Sequence, residues 1–428
     1  MNPLVNKASS FHSTLSVLPD YGGRSLANLP ATLMSLIGIQ PKGFLPPLED
    51  GLLPESLRAG TQRVILLLAD GLGDKQLKAS LHKGIAPHLG GIVEDARSGK
   101  PSRSYSTLTS VFPSSTIPAL TSLATGQPPG LHGLVGWMIH IKELGGPTEI
   151  ASWRPANRIG SFLEPAWGGI DEHDFLEYAS IHGLLKDAKI RTHAVGPASF
   201  AGAPFTKMLY DGSQYEPYQA PSEIPDVVSS LLTEEIGDER QFIHIYLPTV
   251  DSVTHQFGPK SAEHDAAVEQ VDRLVGEILE MSSGRNEILT LITADHGHIE
   301  TNPEHIVDLH EIDWLVESLA VAPTGERRFV YLHPFSGQRD QLRARLEKEL
   351  SEVLEVFNTE ELTERGLFGP TGLSDCAAQR IGDLVLLAKD DYQLVFNHAT
   401  HSPPPRLRGD HGGTSPDEMI VPFIAFSG

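Results

Sequence analysis

The chain of 428 residues carries 55 Asp and Glu against 33 Lys and Arg, a formal charge of −22, and 40% of its residues are hydrophobic. Such a charge argues against a nucleic-acid polymer as partner, because binding to that backbone draws on clustered cations, but it leaves small phosphorylated molecules open. No window reaches the roughly eighteen apolar residues that span a bilayer, the N-terminus lacks a basic flank followed by an apolar run, and Cys376 is the only cysteine; no membrane partner, no disulfide framework and a cytoplasmic setting are therefore expected.

The length allows two or three structural units or one α/β domain with insertions. Residues 1–60, rich in Pro, Gly and Leu with little periodicity, read as an irregular lead-in packed on the core. Arg63 to Ala69, RVILLLA, is an uninterrupted apolar run, as in parallel strands covered on both faces. It places Asp70 at a strand's carboxyl end, where ligands of open α/β sheets gather, although a turn or helix-cap aspartate would look the same. Within Val111 to Trp137, Pro118 and Gly126 frame a short helix with Thr116 at its N-terminus. Unpaired amides and the helix dipole there favour an alkoxide or a phosphate oxygen, while the plain alternative is that Thr116 or Ser115 caps the helix. His132, in the turn that follows, reads as structural.

Residues 138–240 carry Trp153 and Trp167, a helix near 174–187 and a strand near 189–195, with aromatics suited to core packing or to stacking on a substrate. Gln241 to Gly258 repeats the strand-then-polar pattern. Its Asp251 and His255 stand four apart, so one helical turn puts both on one face, as ligands or as a surface pair. Glu263 to Met281 is an amphipathic helix leading into Glu287 to His298, EILTLITADHGH, an apolar strand that ends in Asp295, His296 and His298 beside Gly297. Carboxylate oxygen and imidazole nitrogen at a strand end suit zinc or a similar divalent ion. Beyond it, Arg328 to Leu332 predicts a strand, Gln338 to Phe357 an amphipathic helix, and Asp383 to Ala388 and Gln393 to Phe396 two strands. The loop HATHSPPPRLRGDHGG then supplies Asp410 and His411 before an apolar closing strand. Residues 299–404 thus form a small inserted α/β subdomain between core segments 61–298 and 405–428, placed to act as a lid or specificity element. Gly99-Lys100 is followed by Pro101, so no P-loop is present, and no GxGxxG occurs.

Strand-DG, FP-x-x-T-x-P with a following TG, D-x-x-x-H-x-x-G-P, DHG and a final DHGG, in this order, resemble the alkaline phosphatase superfamily and within it the type I phosphodiesterase/nucleotide pyrophosphatase family. The resemblance covers residues 62–137, 241–298 and 405–428. It implies a doubly wound, mostly parallel α/β sheet flanked by helices, and two divalent ions, zinc above others. Asp251, His255 and His411 would hold one ion, and Asp70, Asp295 and His296 the other. Thr116 between them would attack phosphorus in line and pass through a phosphothreonine that water hydrolyses. His298 and Asp410 flank ligands and are expected in supporting roles. Ala119 stands where nucleotide-processing members carry an asparagine that holds a phosphoryl oxygen.

The implied activity is hydrolysis of phosphodiester or pyrophosphate bonds in a small phosphorylated substrate, a nucleotide among the candidates. A phosphomonoesterase or phosphomutase would share both metal sites, and DHGGTSPDEMIVP resembles the mutase branch, but no cationic cluster for a dianionic phosphate is readable. A sulfatase would need C/S-x-P-x-R near Asp70. Cys376 lacks the proline, and Ser402 to Arg406 lies at the wrong end of the chain. A catalytically idle metal-binding protein would not require Thr116 beside all six ligands.

Overall fold

The computed structural model describes residues 15–156, 175–237, 239–398 and 405–428. Trp167, Ser402 and the start of the helix expected near 174 lie outside them. The central sheet has seven strands in the order Arg103–Thr109, Ile420–Ser427, Ile288–Thr293, Arg63–Ala69, Gln241–Leu247, Arg191–Pro197, Gln214–Tyr218. Every strand of it runs the same way except Ile420–Ser427, which is antiparallel to both its neighbours. The reversal has a functional consequence: the chain enters this strand at the edge where the others end. Loops from both halves of the sequence therefore meet there.

The run RVILLLA is buried at every position, as expected of a central parallel strand covered on both faces. The long amphipathic helix extends over Ala262–Ser282 and buries Val268, Val271, Leu274, Val275 and Ile278. Arg103–Thr109 has no apolar signature of its own, since it is an edge strand that buries only part of its surface.

Two expectations need correction. The lead-in is not irregular throughout. Leu26–Asn28 and Leu29–Leu36 are helical, begun by a capping box between Ser25 and Asn28, and their leucines belong to the main core. The helix expected over Gln338 to Phe357 covers only Arg339–Glu349, and Leu354–Asn358 is a strand paired antiparallel with Leu384–Ala388. Leu354 continues the four-residue spacing of Leu342 and Leu346 by coincidence; Val356 and Phe357 suit a strand, and a partner strand was available.

The inserted segment is not independent of the rest of the chain. Four of its strands join Met138–Ile141, Gly146–Glu149 and Arg154–Pro155 in a second sheet of seven, ordered Leu354–Asn358, Leu384–Ala388, Phe329–Pro334, Leu319–Gly325, Met138–Ile141, Gly146–Glu149, Arg154–Pro155, with every pairing antiparallel, while Ile306–Asp308 and Gln393–Val395 pair with each other in parallel. Alternation along its strands serves two cores: Phe329, Tyr331, Val385 and Leu387 pack into the main core, while Val330, Leu332, Leu384 and Leu386 build a smaller one with Leu342 and Leu346. The Tyr331 hydroxyl donates to the Val135 carbonyl at 2.8 Å. The second sheet is thereby seated beside the segment that follows the Thr116 helix.

Candidate active site

Three adjacent strands of the central sheet end side by side, and just beyond them stand Asp295, Asp70 and Asp251. The Asp70 N–H donates to the Leu247 carbonyl and the Asp251 N–H to the Asp70 carbonyl, both at 3.0 Å. Gly71, at φ +75°, allows this crossing: a Cβ there would lie 2.7 Å from His298 Nε2 and 2.9 Å from Asp251 Cα.

Asp70, Asp295 and His296 converge on one point. His296 Nε2 is 3.5 Å from Asp70 Oδ1 and 3.5 Å from Asp295 Oδ2. The remaining carboxylate oxygens are committed: the Tyr246 hydroxyl donates to Asp70 Oδ2, and the Gly71 and His296 N–H groups both donate to Asp295 Oδ1 at 3.0 Å. Asp70 Oδ1 and Asp295 Oδ2 are left buried without a hydrogen-bond partner. Two such oxygens together are costly unless a proton or a cation joins them. Burial, with Asp295 and Asp251 nearby, accordingly pushes the Asp70 carboxyl well above its ordinary range. Two oxygens and an imidazole nitrogen aimed at one spot fit a divalent ion. The Thr116 hydroxyl lies 3.2 Å from the same His296 Nε2.

Asp251, His255 and His411 form a second cluster. Asp251 Oδ1 is 3.3 Å from His255 Nε2 and 3.6 Å from His411 Nε2, and the two ring nitrogens are 3.2 Å apart. His255 Nδ1 faces the Gly409 carbonyl at 2.9 Å and His411 Nδ1 the Ser114 carbonyl at 3.2 Å. An N–H given to a carbonyl fixes the tautomer that presents Nε2 as a ligand. Burial opposes charge on Asp251, but the charge and hydrogen bond of His255 outweigh it and hold that carboxyl well below its usual range. Burial likewise opposes a proton on His255, yet Asp251 prevails and raises it to about 9. Burial beside the other imidazoles depresses His411 far below its ordinary value. The His296 and His411 rings stack at 3.6 Å between centroids, which joins the two clusters into one site.

All seven residues singled out from the sequence thus meet at one edge of the sheet. His298 and Asp410 are there too. His298 Nε2 is 3.0 Å from Asp251 Oδ1, and burial lowers that imidazole to about 3. Asp410 Oδ1 accepts the His411 N–H at 2.9 Å, while its Oδ2 is buried without a partner. Neither Ser115 nor Thr116 caps the Thr116–Thr125 helix through its side chain. His132 lies outside the cluster; it bonds Ser122 Oγ at 3.0 Å, accepts the Leu134 N–H at 3.1 Å, and burial lowers it to about 3.

Two participants escaped the sequence. Tyr246, in a strand that otherwise reads as buried core, turns its hydroxyl onto Asp70. Glu326, in the hairpin between Leu319–Gly325 and Phe329–Pro334, accepts the Ser115 hydroxyl and, at 2.8 Å, the Trp137 N–H. Its other oxygen is 3.9 Å from His411 Nδ1, and burial raises the carboxyl to about 7. Only the polar tip in an apolar strand marks Tyr246. Nothing local marks Glu326, which reaches Ser115 from 211 residues away.

The sequence profile of the family described as Type I phosphodiesterase / nucleotide pyrophosphatase matches residues 64–414. An uncharacterized pyrophosphatase/phosphodiesterase of Schizosaccharomyces pombe is 23% identical over 305 residues, which are 70% of this chain and 56% of that one. Human ectonucleotide pyrophosphatase/phosphodiesterase family member 7 is 30% identical over 181 residues, 40% of this chain and 38% of that one. The chain therefore spans about half or less of the curated relatives it matches. Among solved structures, murine ectonucleotide pyrophosphatase/phosphodiesterase 5 has the same fold, with a TM-score of 0.62 at 18% identity over 85% of this chain and 88% of that one. An inactive form of that protein was solved in complex with AMP.

Proposed function

Since the chain belongs to the type I phosphodiesterase/nucleotide pyrophosphatase family of the alkaline phosphatase superfamily, we propose that it hydrolyses phosphodiester or pyrophosphate bonds in small substrates, with Thr116 as nucleophile and two divalent ions, zinc by donor chemistry. Asp251, His255 and His411 would hold one ion and Asp70, Asp295 and His296 the other. The observation that carries this reading is the Thr116 hydroxyl 3.2 Å from His296 Nε2, beside the unpartnered oxygens of Asp70 and Asp295. When bound, the ions would supply Lewis-acid polarisation of the phosphoryl oxygens and neutralise charge on the attacking and leaving oxygens.

The residues account for the rest. Thr116 is the first residue of its helix, so its hydroxyl stands at the positive end of the dipole, where an alkoxide and a phosphoryl oxygen are both favoured. Its Oγ1 forms a bond to phosphorus as the bond to the leaving oxygen breaks, and water then cleaves the phosphothreonine to restore the hydroxyl. Tyr246 and His298 orient Asp70 and Asp251.

Two large side chains near this edge are exposed: Trp137 at 42% and Phe200 at 38%. Trp137 is bound through its backbone N–H to Glu326, and the Phe200 ring is 6.4 Å from that of Tyr246. Apolar rings on more than one side favour a phosphorus carrying two organic substituents, a diester, and suit stacking on a base. A nucleotide is a natural candidate, as in the AMP complex of the related murine protein.

The test combines elemental analysis of the purified protein with hydrolysis of bis-p-nitrophenyl phosphate and p-nitrophenyl phosphate after zinc or manganese is added back. About two metals per chain, as a two-metal site requires, and a preference for the diester are expected. No metal after add-back would remove the whole site, and a preference for the monoester would move the assignment to the phosphatase or mutase branch.

A further inference from the structure

We infer that Glu326 selects substrate by charge, disfavouring a phosphoryl group that carries two negative charges against one that carries a single charge. The inference rests on the hydrolase reading above and names the substrate class of the same site.

The Glu326 carboxyl is firmly held. The Ser115 hydroxyl and the Trp137 N–H both bond to Oε1, which fixes the group in place. Its hairpin is itself rigid. The Glu326 N–H donates to the Phe329 carbonyl at 2.8 Å, and Gly325 takes φ +101° where a Cβ would lie 2.6 Å from that carbonyl oxygen. Oε2 is left facing His411 Nδ1 at 3.9 Å.

This position is close to the chemistry from two directions. Ser115 immediately precedes Thr116, and one imidazole ring separates Oε2 from the Nε2 that faces Asp251 and His255. Among the described residues no Lys or Arg pairs with Glu326. Its chain neighbours are engaged elsewhere: Arg327 bonds to Gln393 Oε1 and the Pro405 carbonyl, and Arg328 bonds to Glu418 and the Tyr392 carbonyl. A largely enclosed carboxylate, 12% exposed and with no Lys or Arg partner among the described residues, is therefore bonded to the residue that precedes Thr116.

The charge acts on both substrate classes, but unequally. A diester brings one negative charge and a monoester above neutral pH brings two, so the monoester meets one further unit of repulsion in a poorly screened setting. The ions attract the additional charge of the monoester too, but they do so with or without Glu326, so the change in ratio on removing the carboxylate reports its own contribution. Removing the Glu326 charge should therefore shift the monoester-to-diester ratio on the order of tenfold or more, given unit charges several ångströms apart in a partly buried site. A residue that merely buttressed Ser115 and Trp137 would change both rates together.

The experiment measures kcat/KM for p-nitrophenyl phosphate and bis-p-nitrophenyl phosphate at pH 9 and saturating zinc, where the monoester is a dianion. It compares the wild-type protein, Glu326→Gln and the charge-keeping Glu326→Asp. The expected result is a ratio raised about tenfold or more in Glu326→Gln and kept near wild type in Glu326→Asp, whatever either change does to the absolute rates. An unchanged ratio in Glu326→Gln overturns the inference and leaves the hydrolase reading intact. Should the glutamine variant fail to fold, Glu326→Ala, which also lacks the charge, takes its place in the comparison with the same expected ratio. A wild-type protein with both metals bound that cleaves neither ester would instead overturn the hydrolase reading, and this inference with it.

Discussion

A hydroxyl, four carboxylates and four imidazoles share a small volume at one edge of the sheet, and each depends on a neighbour for its orientation. The Thr116 hydroxyl makes its contact with His296, a metal-ligand candidate whose own place does not depend on it. Thr116→Ala should therefore abolish turnover while leaving zinc content near two per chain, the stoichiometry of a two-metal site; turnover persisting in the purified variant would remove the nucleophile assignment. Tyr246→Phe removes the donor on Asp70 Oδ2 and leaves that buried oxygen without it. Loss of such a supporting bond typically costs about 10- to 100-fold in metal affinity, which competition with a chelator would read directly. Asp251 and His255 were legible because a helical turn is local geometry. Tyr246 and Glu326 were not, because their roles exist only once distant segments have met.

The elements supply that meeting. The DHGG loop is anchored by Glu418, whose carboxylate accepts the Gly413 N–H at 2.9 Å and the Ser415 N–H at 3.2 Å and pairs with Arg328 at 3.3 Å. Its carbonyl accepts the Gly297 N–H at 2.8 Å, so one residue ties the loop of His411 to that of His296. Both partners of the ion pair are buried, at 5% and 1% side-chain exposure. Arg328→Met should thus leave a buried carboxylate short of a cation and cost about 3 kcal/mol, seen as a lower urea midpoint with an unchanged m-value. Metal affinity should fall with it, since Glu418, which anchors the loop carrying His411, loses its cationic partner. Local pattern was sufficient for the buried parallel strands and for the helix Ala262–Ser282. It failed at Leu354–Asn358, where a leucine spacing that fits a helix was overridden by an available partner strand.

Taken together, the two sheets of seven strands place their chemistry at a shared boundary. Away from the site, buried histidines make the fold sensitive to acid. Burial lowers His132 to about 3 and His244 and His264 to about 4. An unfolded chain binds protons at these imidazoles from about pH 6.5 downward, whereas the folded chain does not until pH 3 to 4. Their contribution to stability is therefore full above pH 6.5 and lost as the pH falls toward those values, at up to about 1.4 kcal/mol per pH unit for each histidine. Urea midpoints should fall steeply from pH 7 to pH 5. His244→Gln should flatten that slope by about one proton, and an unaltered slope would show that His244 is not held neutral.

Neighbouring residues alone specify the strands that end in acids, the helix that begins at Thr116, and the order of motifs that marks the family, because apolar runs, caps and i,i+4 spacing are written within a short stretch of chain. Three features have no such local record: residues 138–155 complete the second sheet, Ile420–Ser427 runs against its neighbours and so returns His411 to the site, and Glu326 stands beside Ser115. Each of these is a pairing between distant segments. Such pairings depend on which surfaces remain to be covered after the local elements have formed, and that is settled only when the chain packs.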